Sequence, residues 1–96
     1  MYIVKFLLEA ELEIADACRW YEKSKPGLGK SFLDELDNSV DLILNNPFQY
    51  AVKFSEKYRF AVLKKFPYSV AYRIDDDQDF IVIISVFHQH RNPFKF

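Results

Sequence analysis

Apolar and polar positions change rhythm several times along the 96-residue chain. Tyr2 to Leu8 (YIVKFLL) is short and rich in β-formers, which predicts a first strand. From about Glu9 the apolar positions move to helical spacing, with Ala10, Ile14, Ala17, Cys18 and Tyr21 on one stripe and Glu11, Glu13, Asp16 and Glu22 opposite. Acids crowd the first turns, where the helix dipole favours them, and Lys23 and Lys25 come at the end. Pro26-Gly27 stops this helix, and Gly29 gives a tight joint before the next. The second helix places Phe32, Leu33, Leu36, Val40, Ile43 and Leu44 on its buried stripe and closes at Asn45-Asn46-Pro47. The short joint predicts two antiparallel helices of about 15 residues each.

After Pro47 the period falls to two. Arg59 to Leu63, Tyr68 to Ile74 and Phe80 to Phe87 read as strands, separated by a Lys-Lys-Phe-Pro corner and by Asp75–Asp79. Tyr68, Val70, Tyr72 and Ile74 share the face expected to meet the helices, and Ser69, Ala71 and Arg73 take the other. FIVIISVF lacks polar alternation, which predicts a mid-sheet strand covered on both faces. The expected fold is α+β, in the order β-α-α-β-β-β, a helical hairpin packed on one antiparallel sheet. At this length it forms a single domain spanning 1–96.

Half the residues are hydrophobic and 18% aromatic, which excludes a disordered chain. One cysteine, Cys18, allows no internal disulfide, and the chain opens with no basic segment leading an apolar signal core. A cytoplasmic protein is expected. The net charge of −1 hides an asymmetry. Residues 1–50 hold five Lys/Arg against nine Asp/Glu, and residues 51–96 hold eight against five, four of those five lying in Asp75–Asp79. The basic remainder suits an anionic partner, either nucleic acid or an acidic protein segment.

Three groups of residues carry candidate chemistry. His88 and His90, two apart, point the same way on an extended chain, but zinc needs a third protein ligand and Cys18 belongs to the buried stripe, so no metal or other cofactor is expected. Asp75, Asp77 and Asp79 resemble the start of a calcium loop, yet Phe80 and Val86 stand where that loop needs glycine and glutamate. A charged hairpin turn that discourages edge pairing explains the run better. The third group is acid–base chemistry on RNA, with His88 and His90 as proton carriers and Arg59, Lys64, Lys65 or Arg91 facing the phosphate.

The words A-ELEIADACRWYE, KPGLGKSFLDEL, NNP at 45–47, YRFAVLKKFPYSVAYRI and IVIISVFHQHRNP, in this order, resemble the RelE/ParE family of bacterial toxins from type II toxin–antitoxin systems, which includes plasmid-stabilising members. The resemblance covers nearly the whole chain. It implies one of two mechanisms: ribosome-dependent cleavage of messenger RNA, as in RelE-like members, or blockade of DNA gyrase, as in ParE-like members. RelE-like cleavage uses two lysines on the strand before the FPY corner, an arginine on the next strand, another past the last strand, and a terminal tyrosine. In this chain those places fall on Phe60, Val62, Ser69 and Gln89, and the tyrosine falls near Phe94 to Phe96, without a hydroxyl. Losing one such donor costs about 3 kcal/mol of transition-state stabilisation. The resemblance with ParE is therefore the closer one, and the near-neutral pI of 6.1 agrees, since a ribosome ligand profits from many phosphate contacts. An endoribonuclease would have to use Lys65, His88, His90 and Arg91 in a rearranged site, and an inactive partner-binding domain is the third possibility. All three imply a cognate antitoxin held on an apolar groove or a free sheet edge. Arg59, Lys64, Arg91, Phe94 and Phe96 are the expected partner-binding residues, whereas Phe87 is expected in the core.

Overall fold

Each strand and helix lies close to where the periodicity puts it. A computed structural model describes residues 1–53 and 57–90. In chain order the elements are β1 (Ile3–Phe6), α1 (Leu8–Ser24), α2 (Leu28–Asn45), β2 (Arg59–Val62), β3 (Tyr68–Asp75) and β4 (Phe80–His88). The α+β architecture is as expected: two helices cover one face of a four-stranded sheet ordered β1-β4-β3-β2. Boundaries move by one to three residues. The first strand stops at Phe6, because Leu7 already caps α1, and both helices exceed the expected 15 residues, at 17 and 18.

The sheet is not antiparallel throughout. β2, β3 and β4 form the expected meander, but β1 runs parallel to β4, with Ile3 opposite Phe80 and Phe6 opposite Ile83. Local sequence encodes extension, not direction. A strand joined to the sheet through two helices is free of the hairpin constraint that makes neighbours antiparallel. β4 thereby gains a partner on each side and lies mid-sheet, as its unbroken apolar run requires. That run has a second cause. Ala71 pairs with Ser85 and Tyr72 with Ile83, so Ile84 is an extra residue in β4. The bulge shifts the alternation by one place, letting Ile81, Ile83 and Val86 all reach the helix-side core.

That core joins Ala10, Ala17 and Tyr21 of α1 and Phe32, Leu36, Val40 and Ile43 of α2 to Val70, Tyr72, Ile81, Ile83 and Val86 of the sheet. Its aromatic centre includes Phe66 from the basic corner: the Phe66 ring lies 4.9 Å from Tyr21 and 5.3 Å from Phe32. An apolar plug thus turns the Lys64-Lys65 corner inward. Four expected stripe members are less buried than the pattern implies. Leu33 is 36% exposed, and Ile14, Cys18 and Leu44 are only partly buried, because the helices meet each other more narrowly than a full apolar stripe.

The helix joint explains this narrow approach. Gly27, not Gly29, makes the turn, in the left-handed region at φ +90°. Gly29 lies inside α2, where an added Cβ would stand 2.9 Å from the Cys18 carbonyl oxygen and 3.1 Å from its Sγ. Its bare α-carbon lets the two helices touch. Glu22 of α1 then supplies the cap that α2 lacks, its carboxylate accepting from the N–H groups of Gly27 and Gly29, each at 3.1 Å. A negative charge there also meets the positive end of the α2 dipole.

Tyr72 locks the end of α2 to the sheet. Wholly buried, its hydroxyl donates to the Pro47 carbonyl at 2.5 Å, and burial pushes its pKa up to about 12, against a smaller opposing pull from Arg59. Among the described residues no helix is long and apolar enough to cross a membrane.

Candidate functional site

The segment after β4 sorts its residues by face. Phe87 points away from the helices and packs with Phe60 and Ala71, with ring centroids of Phe60 and Phe87 6.0 Å apart, so it is a packing residue as expected. His88 lies on the helix side, opposite Tyr68, with the two rings edge to face at 5.4 Å. The Gln89 N–H donates to the Pro67 carbonyl at 2.8 Å, and the His90 N–H donates to His88 Nδ1 at 3.2 Å. The histidine rings tilt together at 5.1 Å. Among the described residues no third His, Cys, Asp or Glu completes a metal-binding group with them.

His88 borders a groove of about 600 Å³ between α1 and the corner, floored by Ala17, Tyr21, Tyr68 and Val86 and flanked by Trp20. Trp20 is 65% exposed. Desolvation, and secondarily Tyr68, raises the Tyr21 phenol pKa. At the groove's inner edge Glu13 accepts from Ser85 Oγ at 2.8 Å and from the Val86 N–H at 3.0 Å. β1 has ended by this point, so the carboxylate satisfies a β4 donor beyond the reach of β1.

The places where RelE-like cations would stand are now defined in space. Phe60 and Val62 of β2 and Ser69 of β3 share the face opposite the helices, Val62 directly across from Ser69 and Phe60 across from Ala71. Ser69 also sits opposite Phe87 of β4. This patch is apolar or hydroxylic. Lys64 and Lys65 lie at the corner instead, where their backbone N–H groups donate to Glu35 of α2 at 2.5 and 2.7 Å, and they line a second groove beside α2. Lys65 and His88 therefore border different grooves. Arg59 is held internally: its Nη1 donates to the carbonyls of Phe48 and Tyr50, and its guanidinium lies over the Phe48 ring. Arg91, Phe94 and Phe96 lie outside the described residues.

Both kinds of docking surface anticipated for a partner are present. Among the described residues β1 has a neighbour on one side only. Next to it Ile3, Leu7, Leu8 and Leu12 are all exposed, an unusual concentration of large apolar side chains. Sequence reasoning missed the carboxylates of Glu13, Glu22 and Glu35, which it assigned to solvent or left unassigned. One signal was available for Glu22: a helix entered through Gly27 carries no side-chain cap of its own, so an acid five residues upstream is a natural acceptor.

A helical hairpin on a mostly antiparallel sheet, with an uncharged patch of Phe60, Val62, Ser69 and Phe87 on its outer face, a free edge and exposed apolar residues beside it, defines a small domain with surfaces suited to binding another protein. The chain belongs to the ParE toxin family: the family model described as "ParE toxin of type II toxin-antitoxin system, parDE" matches residues 4–93. Among solved structures it is similar to the chromosomal ParDE toxin–antitoxin system of P. aeruginosa, with a TM-score of 0.77 and 19% identity over 92% of this chain and 96% of that one. It is also similar to a chain of the intact E. coli RelBE toxin–antitoxin complex, with a TM-score of 0.73 and 18% identity over 95% and 100% of the two chains. The isolated E. coli RelE toxin matches with a TM-score of 0.72 and 18% identity over 97% of this chain and 89% of that one. No curated protein matches the chain by sequence. The chain is thus a member of the ParE toxin family of type II systems, with the fold it shares with these ParE and RelE structures.

Proposed function

We propose that this toxin works by occupying the surface of a large target, DNA gyrase, in the bacterial cytoplasm rather than by cutting RNA. One observation carries the reading: Phe60, Val62 and Ser69, at the places of the RelE-like cations, form one sheet face with Ala71 and Phe87 and bring no positive charge to it. A scissile phosphate held there would lose solvation and meet no compensating cation at these positions. An uncharged, partly apolar patch suits contact with another protein surface. A supercoiling assay with purified toxin tests this, and gyrase that relaxes and supercoils normally at micromolar toxin refutes it. Primer extension on translated messages separates the ribosome-dependent alternative through Lys65, His88, His90 and Arg91, because cleavage at the ribosomal A site cannot come from a gyrase blocker.

The cognate antitoxin fits the opposite edge. An extended segment adding a strand to β1 would satisfy its open backbone groups and cover Leu7, Leu8 and Leu12, with Glu9 and Glu11 beside them favouring a basic segment. Co-purification of the toxin with the product of a small adjoining reading frame, lost in a Leu8→Asp/Leu12→Asp variant that still folds, supports this placement. Retention by that variant overturns it.

A further inference from the structure

A cleft at the far end of β3 belongs to none of these surfaces. Phe48 from the turn after α2, Lys57, Tyr58 and Arg59 at the start of β2, Arg73 on β3 and Asp76 of the β3–β4 hairpin line a space of about 510 Å³. Arg59 pairs across the sheet with Tyr72, so its side chain leaves the helix-side face and that of Arg73 the opposite one, and the two come together at the end of the sheet, where both line the cleft. Their states differ in a useful way. Nη1 of Arg59 is committed to the Phe48 and Tyr50 carbonyls, at 3.2 and 2.6 Å, which fixes the guanidinium while leaving the donors on its other two nitrogens. Arg73 is half-buried and enters no ion pair among the described residues. A guanidinium that forms no ion pair among the described residues leaves a place for an anion. Asp76, the one carboxylate among the described residues of the cleft, accepts from the Tyr2 hydroxyl at 2.7 Å.

We propose that this cleft binds a nucleotide: the phosphate on Arg73 with Arg59 behind it, and the base stacked on Phe48. The Phe48 ring carries the Arg59 guanidinium 5.3 Å from its centroid and is still 53% exposed, so a base can extend the stack on the open side. An acidic peptide would use the cations and leave that ring in water, which is why the nucleotide is the better fit. Its source is either a free nucleotide or one unit of a single strand, and the reading stands whichever macromolecule the toxin blocks.

The test uses the full chain with three probes: AMP, a short oligothymidine single strand and an oligoglutamate peptide, each followed by amide chemical shifts. AMP or the oligothymidine should move the Tyr58 and Ile74 resonances, and Arg73→Gln and Phe48→Ala should each weaken that binding by about tenfold. Arg73→Lys should recover part of the loss, since it restores charge without the planar fork. Tighter binding of the oligothymidine than of AMP, falling steeply with salt, identifies a strand as the source, whereas equal affinity identifies the free nucleotide. Either result supports the site. No shift with AMP or oligothymidine at millimolar concentration overturns it, as does oligoglutamate binding with equal affinity and insensitivity to Phe48→Ala. Should Arg73→Gln fail to fold, the wild-type shift map and Phe48→Ala decide the question by themselves.

Discussion

Replacing Tyr72 with phenylalanine removes one oxygen from a fully buried ring and tests how α2 is tied to the sheet. At neutral pH the cost is a neutral hydrogen bond together with partial desolvation of the Pro47 carbonyl it leaves, about 1–2 kcal/mol. The pH dependence is more diagnostic. The folded phenol ionises at about 12 and the unfolded one at 10.0, because burial disfavours the phenolate. Below pH 10 both states are protonated and the hydroxyl contributes in full. As pH rises from 10 toward 12 the unfolded chain loses its proton first, so stability is lost across that window, in total about 2.7 kcal/mol and about 1.4 kcal/mol by pH 11. Phenylalanine has no such loss. Urea denaturation at pH 7 and pH 11, followed by far-ultraviolet circular dichroism, should therefore show Tyr72→Phe less stable than wild type at pH 7 and nearly equal to it at pH 11. Comparing the two proteins at each pH removes the contributions they share. An equal difference at the two pH values refutes the assignment of the buried, protonated phenol.

Gly29→Ala should destabilise by about 1–3 kcal/mol in the same denaturation experiment, because the added methyl meets the Cys18 backbone oxygen, which cannot rotate away. Cys18→Ala should rescue little of that loss, and full rescue would mean that Sγ, not the backbone, sets the helix spacing. Glu22→Ala should cost about 1–2 kcal/mol through the uncapped start of α2, with faster amide hydrogen exchange at Gly27 and Gly29 than at the α2 centre as the local readout. Trp20→Ala should change stability by about 1 kcal/mol or less, since the ring is largely exposed and makes one edge contact with Tyr21 at 5.2 Å. A loss of 3 kcal/mol or more, the range for a buried tryptophan, would place that ring in the core instead.

The number, order and type of the elements were legible because each is written in neighbouring residues. Spacing of three and four marks α1 and α2, alternation marks β3, and Asn45-Asn46-Pro47 and the aspartate run mark their ends. The helix-side face of β3 was legible for the same reason. The candidate site was only half so. Phe87 was assignable to packing and Phe60, Val62 and Ser69 could be named as uncharged positions, but the fact that these three share one face needed the pairing of β2 with β3. Lys65 and His88 look like possible partners on paper, and they border separate grooves because Phe66 turns the corner inward. Nor does any periodicity announce that Glu13, Glu22 and Glu35 hold backbone donors, since each acceptor is identified only by what lies opposite it.

By itself, then, the chain's pattern determined which segments coil or extend, which side of each is oily, and where cations are missing. The tertiary structure alone decided that β1 joins β4 in parallel, that an extra residue at Ile84 resets the alternation, and that two arginines from different strands share a cleft with Phe48. The reason is the range of the forces. Backbone sterics and amphipathic spacing act over a few residues, whereas strand direction, register and the meeting of charges depend on how distant segments exclude water together.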